Sequence, residues 1–389
     1  MDGALWFAVT LDPAFLPAAG HGWLSVKGLF LGVILALFPW LWLAGIGLEE
    51  RWGACWRRWG LVPLLTLLLV LGAEAAFRGY RAQDLFWQSV RARAGDAFFT
   101  REVSLFRLDV ASKRAARARQ PGVTVIGSSQ MLHALSVVDL SARIGQPVHR
   151  RAVAGMFPME MCAWQGFLQA EEGSTLLMML SGLDLGARNS LMENAIRPMA
   201  TPRGLGDLIG AADRRLLLAE WRRFTDLGVA SIIDLWRSRD FFQWILQNPF
   251  VPYRSRATAE REVAVVREQR RAYARLGGEQ DFVAYAEESL RRFLFRMSDR
   301  FDRIVIVEGQ VNPQYDPERW QDLSARMLAL IETFVAEGRV EFVPIEAQAS
   351  KITPEMWGDM IHVNPAGREA YTEIFASALL ERSGEPGQP

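Results

Sequence analysis

Two long apolar runs near the N terminus constrain this chain most, because they fit a membrane better than a soluble core. Residues 28–48, "GLFLGVILALFPWLWLAGIGL", carry no charge, and residues 59–77 form a second run that only Glu74 interrupts. Each run is long enough, as a helix, to cross a hydrocarbon core of roughly 30 Å. Pro39 and Pro63 are costly in soluble helices but tolerated in membrane spans. We therefore predict an N-terminal transmembrane hairpin, with a buried soluble helical hairpin as the alternative.

The residues around the two runs indicate how the hairpin is oriented. The connecting loop, "EERWGACWRRW", is rich in arginine, which favours the cytoplasmic side, and tryptophans flank both runs as interfacial anchors do. We expect a bacterial cytoplasmic (inner) membrane protein whose residues after 78 lie on the extracytoplasmic (periplasmic) side. Cys55 then lies in the cytoplasmic loop and Cys162 outside, so the two are not expected to pair. Whether residues 4–19 also insert is left open.

The rest of the chain divides into a stalk and one larger domain. Residues 1–78 form the predicted anchor, 79–119 an Arg-rich helical stalk, and 120–385 an alternation of strands and helices. That alternation predicts an α/β fold with a parallel sheet flanked by helices. The predicted strands lie at 123–127, 147–155, 174–182, 301–309 and 339–346, and the predicted helices at 131–145, 158–170, 317–337 and 365–382.

Residues 190–300 interrupt this alternation and read as wholly helical. We expect a helical insertion that caps the ends of the sheet. Its mixture of aromatic and arginine side chains fits a membrane surface, or an apolar stripe packed on its own domain.

Composition excludes several classes of function. The 44 basic and 44 acidic residues cancel, so there is no basic excess of the kind that nucleic acid binding requires. The four histidines and two cysteines show no metal-site spacing, and no glycine-rich phosphate loop is present. We therefore expect no cofactor, and chemistry that rests on ordinary side chains.

Suggestive residues follow several predicted strands, at the edge of a parallel sheet where ligands bind. These are "GSS" at 127–129, "AGM" at 154–156 and "SGLD" at 181–184, and "GDMIHVNPAG" at 358–367 precedes the last helix. The spacing of Asp359 and His362 lets the carboxylate fix the imidazole tautomer, which leaves the other ring nitrogen free as a base. The sequence thus predicts a serine, histidine and aspartate site, with His133 as a surface or packing residue and His149 exposed.

This order of Gly-x-Ser, Gly and Asp-x-x-His resembles the SGNH/GDSL hydrolase family. "GSSQM" and "DMIHVNPAG" are particularly similar to its membrane-tethered envelope branch, which includes D-alanyl-transfer and alginate O-acetylation proteins. The resemblance covers roughly 120–190 and 300–382. It implies an SGNH-like sheet with Ser129 as nucleophile, His362 as base and Asp359 orienting it. Backbone N–H groups of Ser129 and Gly155 would form the oxyanion hole, and Ser128 is the rival serine.

The sequence departs from the family at its third block, a Gly-x-Asn-Asp element whose Asn donates to the oxyanion. Here Asp184 stands roughly where that Asn would be. An ionised carboxylate there would repel the oxyanion unless it is protonated or turned away. Ser181, Asn189 or Asn312 could substitute, or the hole has two donors. Ser128, Asp184 and Asn312 are thus candidate pocket residues.

The resemblance implies a membrane-anchored serine acyltransferase that passes an acyl group, preferably acetyl, to an envelope glycan or glycolipid. It also implies a multi-spanning membrane-bound O-acyltransferase as partner, because acetyl-CoA is cytoplasmic. Two alternatives stay open: a carbohydrate esterase that removes acetyl groups, and a catalytically idle scaffold subunit of such a complex.

Overall fold

The computed structural model describes residues 68–69, 71–75, 121–153, 155–168, 170–186, 191, 196–237, 280–314, 321–348 and 350–381. The predicted span at 28–48 and the predicted stalk at 79–119 lie outside these residues, as does most of the predicted span at 59–77. Among the residues that are described, no helix combines the length and apolarity needed to cross a membrane.

A five-stranded sheet with the order β2-β1-β3-β4-β5 forms the centre of the fold. All neighbouring strands are parallel, which confirms the predicted α/β class with a parallel sheet flanked by helices. The strands are β1 (Val123–Ile126), β2 (Val148–Arg150), β3 (Thr175–Leu180), β4 (Arg303–Glu308) and β5 (Glu341–Val343).

Helices connect the strands. Within the described residues they are α1 (Ser129–Ala134), α2 (Val137–Ile144), α3 (Pro158–Trp164), α4 (Gly182–Gly186), α5 (Pro202–Ala211), α6 (Arg214–Ala219), α7 (Trp221–Ile232), α8 (Asp234–Arg237), α9 (Gln280–Ser298), α10 (Gln321–Ala336) and α11 (Pro365–Leu380). Short 3-10 turns lie at Gln165–Phe167, Arg197–Met199, Ile345–Ala347 and Pro354–Met356.

Alternate residues of the central strands point into two separate cores. In β3, Leu176 and Met178 join a cluster with α3, α5, α7, α9 and α10. Leu177 and Met179 point to the opposite face and pack with α1, α2 and α11. Burying one such side chain stabilises the fold by about 1.5–3 kcal/mol, so a strand buried on both faces has a nearly continuous apolar sequence.

Two predicted elements differ from the structure. The helix predicted at 131–145 is two helices, because Leu135 is extended and Ser136 begins α2, where its Oγ accepts a long 3.5 Å hydrogen bond from the N–H of Asp139. The strands β2 and β5 are each three residues long, much shorter than predicted. Both lie at the edges of the sheet, where strands are commonly short.

The described part of the insertion is helical, as predicted. Leu208 of α5, Leu227 of α7 and Phe293 of α9 share one core cluster with Leu176 of β3. Within the described residues, α9 contacts β4 and α3, α5 packs on α3 and α9, and α7 packs on α5. That the insertion caps the ends of the sheet stays a prediction. Residues 238–279 of the insertion lie outside the described residues.

Candidate active site

The turn between β1 and α1 carries the first candidate residue. Gly127 has a φ of +157°, and a Cβ at this position would lie 2.7 Å from Cβ of Met131. Glycine therefore lets the chain turn sharply into α1, with Ser128 as its N-cap and Ser129 as its first residue. The first N–H groups of a helix have no partner inside it. Ser129 is half-buried, at the carboxyl end of β1.

A tight loop before α11 carries the other two candidates. The N–H groups of Gly358 and Asp359 both donate to the carbonyl of His362, at 2.8 and 3.2 Å. Asn364 then caps α11, accepting from the N–H groups of Ala366 and Gly367 at 3.0 and 3.1 Å. The loop is thus fixed at both ends, which limits the positions available to the His362 ring.

The structure brings Ser129, His362 and Asp359 into one hydrogen-bonded chain. Nε2 of His362 lies 2.8 Å from Oγ of Ser129, and Nδ1 lies 2.7 Å from Oδ2 of Asp359. In the tautomer with its hydrogen on Nδ1, the ring donates to Asp359 and accepts from the Ser129 hydroxyl. This is the arrangement that activates a serine nucleophile. The contacts are those the sequence predicted, and the catalytic roles stay a prediction.

The Asp359 carboxylate is held by donors on both oxygens. Oδ1 accepts from the N–H groups of Ile361 and His362, at 2.9 and 2.8 Å, while Oδ2 faces the His362 ring. Burial raises the pKa of Asp359, but the hydrogen bonds from the ring and from the two N–H groups outweigh it and hold that pKa below its ordinary value. The carboxylate is therefore ionised at neutral pH, as orienting a histidine requires.

Asn312 supports the loop that carries Asp359 and His362. Its N–H donates to the carbonyl of Met360 at 2.9 Å, and its Nδ2 donates to the carbonyl of Asp359 at 3.3 Å. Its Oδ1 accepts from the N–H of Gln314 at 3.1 Å. Asn312 therefore helps to hold the loop, and its role as a substitute for the missing family donor stays a prediction.

Asp184 is hydrogen-bonded to the serine turn. Its Oδ2 accepts from the N–H of Ser181 at 2.7 Å and from Oγ of Ser181 at 3.1 Å, and the Ser128 hydroxyl also donates to it. Burial raises the pKa of Asp184 to about 6, although these hydrogen bonds lower it in part. The carboxylate is therefore held by Ser181 and Ser128, and its position relative to the oxyanion stays a prediction.

The contact between Ser128 and Asp184 also distinguishes the two candidate nucleophiles, Ser128 and Ser129. Ser128 is buried and its hydroxyl is used by Asp184, whereas the hydroxyl of Ser129 meets His362. Leu183, one residue before Asp184, is buried against Ile361. The side chain of Leu183 has no hydrogen-bond donor to offer.

Gln130 is a residue of the site that the sequence did not reveal. Its Oε1 accepts from Oγ of Ser181 at 2.9 Å, and its Nε2 donates to the carbonyl of Gln310 at 3.1 Å. It thereby ties the start of α1 to the ends of β3 and β4. Its position next to the two serines was the only indication in the sequence that Gln130 belongs to the site. Its partners, Ser181 and Gln310, could not be predicted because they are distant in sequence.

His133 lies one helical turn after Ser129 and packs against the His362 ring. It is exposed, as predicted, and the two ring centroids are 4.4 Å apart at 39°. Partial burial lowers the pKa of His133, and the nearby charges of His362 and Arg368 lower it further. The charge of Asp359 opposes this shift in part. The spacing of four residues from Ser129 could have indicated this shared face.

His149 was expected to be exposed and is half-buried in β2.

The turn after β2 lies beside the serine turn. The N–H of Val153 donates to the carbonyl of Gly127 at 3.0 Å, and Gly155 follows with a φ of +71° that favours glycine. Gly155 thus comes two residues after a residue that is hydrogen-bonded to the serine turn. The oxyanion roles of the Gly155 and Ser129 N–H groups stay a prediction.

Among the residues that the structure describes, no group of three or more His, Cys, Asp or Glu side chains is arranged to hold a metal ion.

No family model matches the chain, and no curated protein matches it. A solved structure from Streptococcus pneumoniae, provisionally described as a platelet activating factor, is similar at 12% identity and a TM-score of 0.32. The similarity covers 75% of this chain and 95% of that one. A likeness this distant carries no functional argument, so any assignment rests on the site itself.

Proposed function

We propose that the protein is a membrane-anchored serine acyltransferase of the SGNH type. It transfers an acyl group, preferably acetyl, to an extracytoplasmic envelope glycan or glycolipid through an acyl-serine intermediate on Ser129. The observation that carries the proposal is the hydrogen-bonded chain from Ser129 through His362 to Asp359, with contacts of 2.8 and 2.7 Å. The order of the strand-end residues supports the SGNH assignment.

In the first half of the reaction, Nε2 of His362 takes the proton from Oγ of Ser129 as Oγ bonds to the acyl carbonyl carbon. The tetrahedral intermediate collapses by breaking the bond to the donor's leaving group, which receives that proton from Nε2. Asp359 accepts the Nδ1–H hydrogen bond throughout and stabilises the transient imidazolium. The product is acyl-Ser129.

In the second half, His362 removes the proton from a hydroxyl of the acceptor glycan, whose oxygen attacks the acyl carbon. Collapse breaks the bond to Oγ, and Ser129 recovers its proton from Nε2. Water in place of the glycan gives hydrolysis by the same steps. The difference between transferase and esterase therefore lies in which hydroxyl occupies the site.

The oxyanion hole sets the rate of both halves. The N–H groups of Ser129 and Gly155 are its proposed donors, and Leu183 adds none from the third strand end. Loss of one such donor typically costs about 3–4 kcal/mol of transition-state stabilisation. We therefore expect slow turnover with simple esters, and greater dependence on a bound acceptor.

The proposed location requires an acyl supply across the membrane. Acetyl-CoA is cytoplasmic, whereas Ser129 belongs to the part of the chain expected outside. We propose that a multi-spanning membrane-bound O-acyltransferase delivers the acyl group. The predicted spans at 28–48 and 59–77 would hold the two proteins in the same membrane.

The test is to trap the acyl-enzyme. Detergent-solubilised full chain is mixed with p-nitrophenyl acetate, and its intact mass and tryptic peptides are measured. We expect one acetyl group on Ser129, none in Ser129→Ala, and faster loss of that group with formation of acetylated sugar when oligosaccharides are added. Release to water alone, at a rate that oligosaccharides do not change, would indicate an esterase. A protein that stays unacylated would indicate the scaffold.

A further inference from the structure

The solvent-facing side of α7 carries two large apolar side chains. Trp221, Thr225 and Ile232 are spaced four and seven residues apart and line one side of the helix, with Trp221 57% and Ile232 62% exposed. Arg222 is also exposed, and its guanidinium carbon lies 5.4 Å from the centroid of the Trp221 ring. Phe224 and Leu227 are buried in the core. Aromatic and arginine side chains on the exposed side of an amphipathic helix are typical of a membrane surface.

The helices on either side of α7 in the chain carry further exposed apolar side chains. Leu218 of α6 is 66% exposed, and Trp236 of α8 is 41% exposed, with its Nε1 donating to Asp226 at 2.9 Å. We define Leu218, Trp221, Thr225, Ile232 and Trp236 as the α7 surface. Single exposed apolar residues are normal, whereas several large ones on consecutive helices make a candidate site of interaction.

The predicted second span meets the domain at this surface. Oε1 of Glu74 accepts from the N–H of Asp234 at 2.6 Å, and Asp234 begins α8 directly after α7. Glu74 is buried in this contact, whereas Leu69 and Leu71 of the same predicted span are 42% and 47% exposed. Any bilayer that surrounds residues 59–77 therefore lies next to the α7 surface.

Arginines surround a groove at the end of α7. The groove, of about 990 Å³, is lined by Ile232 together with Arg203, Arg237 and Arg300, and also by the acidic Glu171 and Asp234. Arg237 is buried and paired with Asp234, and Arg300 donates to the carbonyls of Gln165 and Leu168 at 2.6 and 3.2 Å, whereas Arg203 is exposed. Cationic side chains beside exposed tryptophan and isoleucine are the composition of a protein surface that contacts anionic lipid.

We propose that the α7 surface lies in the boundary between headgroups and acyl chains of the bilayer, with Arg203 of the groove facing anionic phospholipid headgroups. Glu171 and Arg300 precede β3 and β4, so the groove lies at the amino-terminal edge of the sheet. Ser129 lies at the carboxyl-terminal edge. The catalytic site then faces away from the bilayer. The inference depends on the predicted anchor and is independent of the proposed catalysis.

The test measures lipid contact at single positions in the full chain, reconstituted alone in nanodiscs. Cys55 is replaced by Ser, and an environment-sensitive dye is attached to Thr225→Cys or Ile232→Cys. Val138→Cys is the matched control, because Val138 is 77% exposed on α2, which packs on the opposite face of the sheet. Cys162 is buried, and burial raises the pKa of its thiol, so it should not react.

We expect lipids with a nitroxide near the headgroup to quench the dye at 225 and 232 severalfold more than at 138. Equal quenching at 225 and 138 would overturn the proposal. A dye at 225 that is shielded from water but not quenched by lipid would also overturn it, since protein would then cover the surface. Anionic lipid should strengthen quenching at 232, and Arg203→Gln should weaken that effect. Equal quenching in neutral and anionic discs would refute the role of Arg203.

Discussion

At the scale of single residues, the proposed chemistry depends on the orientation of one imidazole. Asp359 sets the His362 tautomer, Asn312 holds the loop that carries both, and His133 packs on the ring. The Asp-x-x-His spacing could be read from the sequence because both residues belong to one loop. The Ser128–Asp184 contact could not be read from the sequence. It joins residues that are far apart in the chain, and no local sequence pattern indicates that they pack together.

Asp359→Asn should nearly abolish acylation without unfolding the protein. An amide at this position can donate to Nδ1 and stabilise the wrong tautomer, so we expect acyl-Ser129 to form about 10³–10⁴-fold more slowly. The rate is measured from the burst of nitrophenol release. Glu355→Gln, an exposed carboxylate before the same loop, is the control and should keep the wild-type rate. A wild-type burst in Asp359→Asn would contradict the assigned role.

Asp184 should make stability depend on pH. Its pKa rises from 3.8 to about 6 on burial, so the folded state favours the protonated form. The resulting stabilisation is complete below pH 4 and is lost as the pH rises through 6, a change of about 3 kcal/mol at one site. The thermal unfolding midpoint should fall over this range in the wild type and fall less in Asp184→Asn. Parallel pH profiles for the two proteins would show that Asp184 does not titrate there.

At the scale of elements, the hydrophobic pattern and the capping residues determine how well the bounds of strands and helices can be predicted. The bounds of β3 and β4 follow from apolar runs buried on both faces. The break between α1 and α2 was missed, although Ser136 and Asp139 form a recognisable start of a helix. The lengths of β2 and β5 were not predictable, because edge strands end where pairing ends and not where apolar residues end.

The β1–α1 turn should not tolerate a side chain at Gly127. Gly127→Ala places a Cβ 2.7 Å from Cβ of Met131 in a backbone conformation that alanine rarely adopts. We expect a loss of about 1–3 kcal/mol in stability and a large loss of acylation, since Ser129 moves with the turn. Gly145→Ala, also at positive φ but with open space around it, should cost about 1 kcal/mol and leave acylation unchanged. Equal effects on acylation would contradict the role of the turn.

At the scale of the whole molecule, the sheet separates the proposed catalytic site from the surface that we place on the membrane. The α/β class followed from alternating strands and helices, and the anchor prediction from two apolar runs. The packing of α5 on α3 and α9, and of α7 on α5, was not foreseen, because an amphipathic helix does not reveal which neighbour its apolar stripe contacts.

The predicted topology can be tested with the two cysteines. Cys162 should be inert because its thiol is buried with a raised pKa, so Cys55 should carry all reaction with an impermeant maleimide. We expect no labelling in intact spheroplasts and full labelling after permeabilisation. Val138→Cys should react in intact spheroplasts. Labelling of Cys55 before permeabilisation would place the loop outside and reverse the orientation.

The most direct measurement is the position at which a fluorophosphonate probe attaches to the solubilised protein. Our account predicts one phosphonylated residue, Ser129, in the wild type and in Ser136→Ala, with none in Ser129→Ala or His362→Ala. A probe found on Ser128, or a folded wild-type protein that never reacts, would contradict the claim that Ser129 is an activated nucleophile.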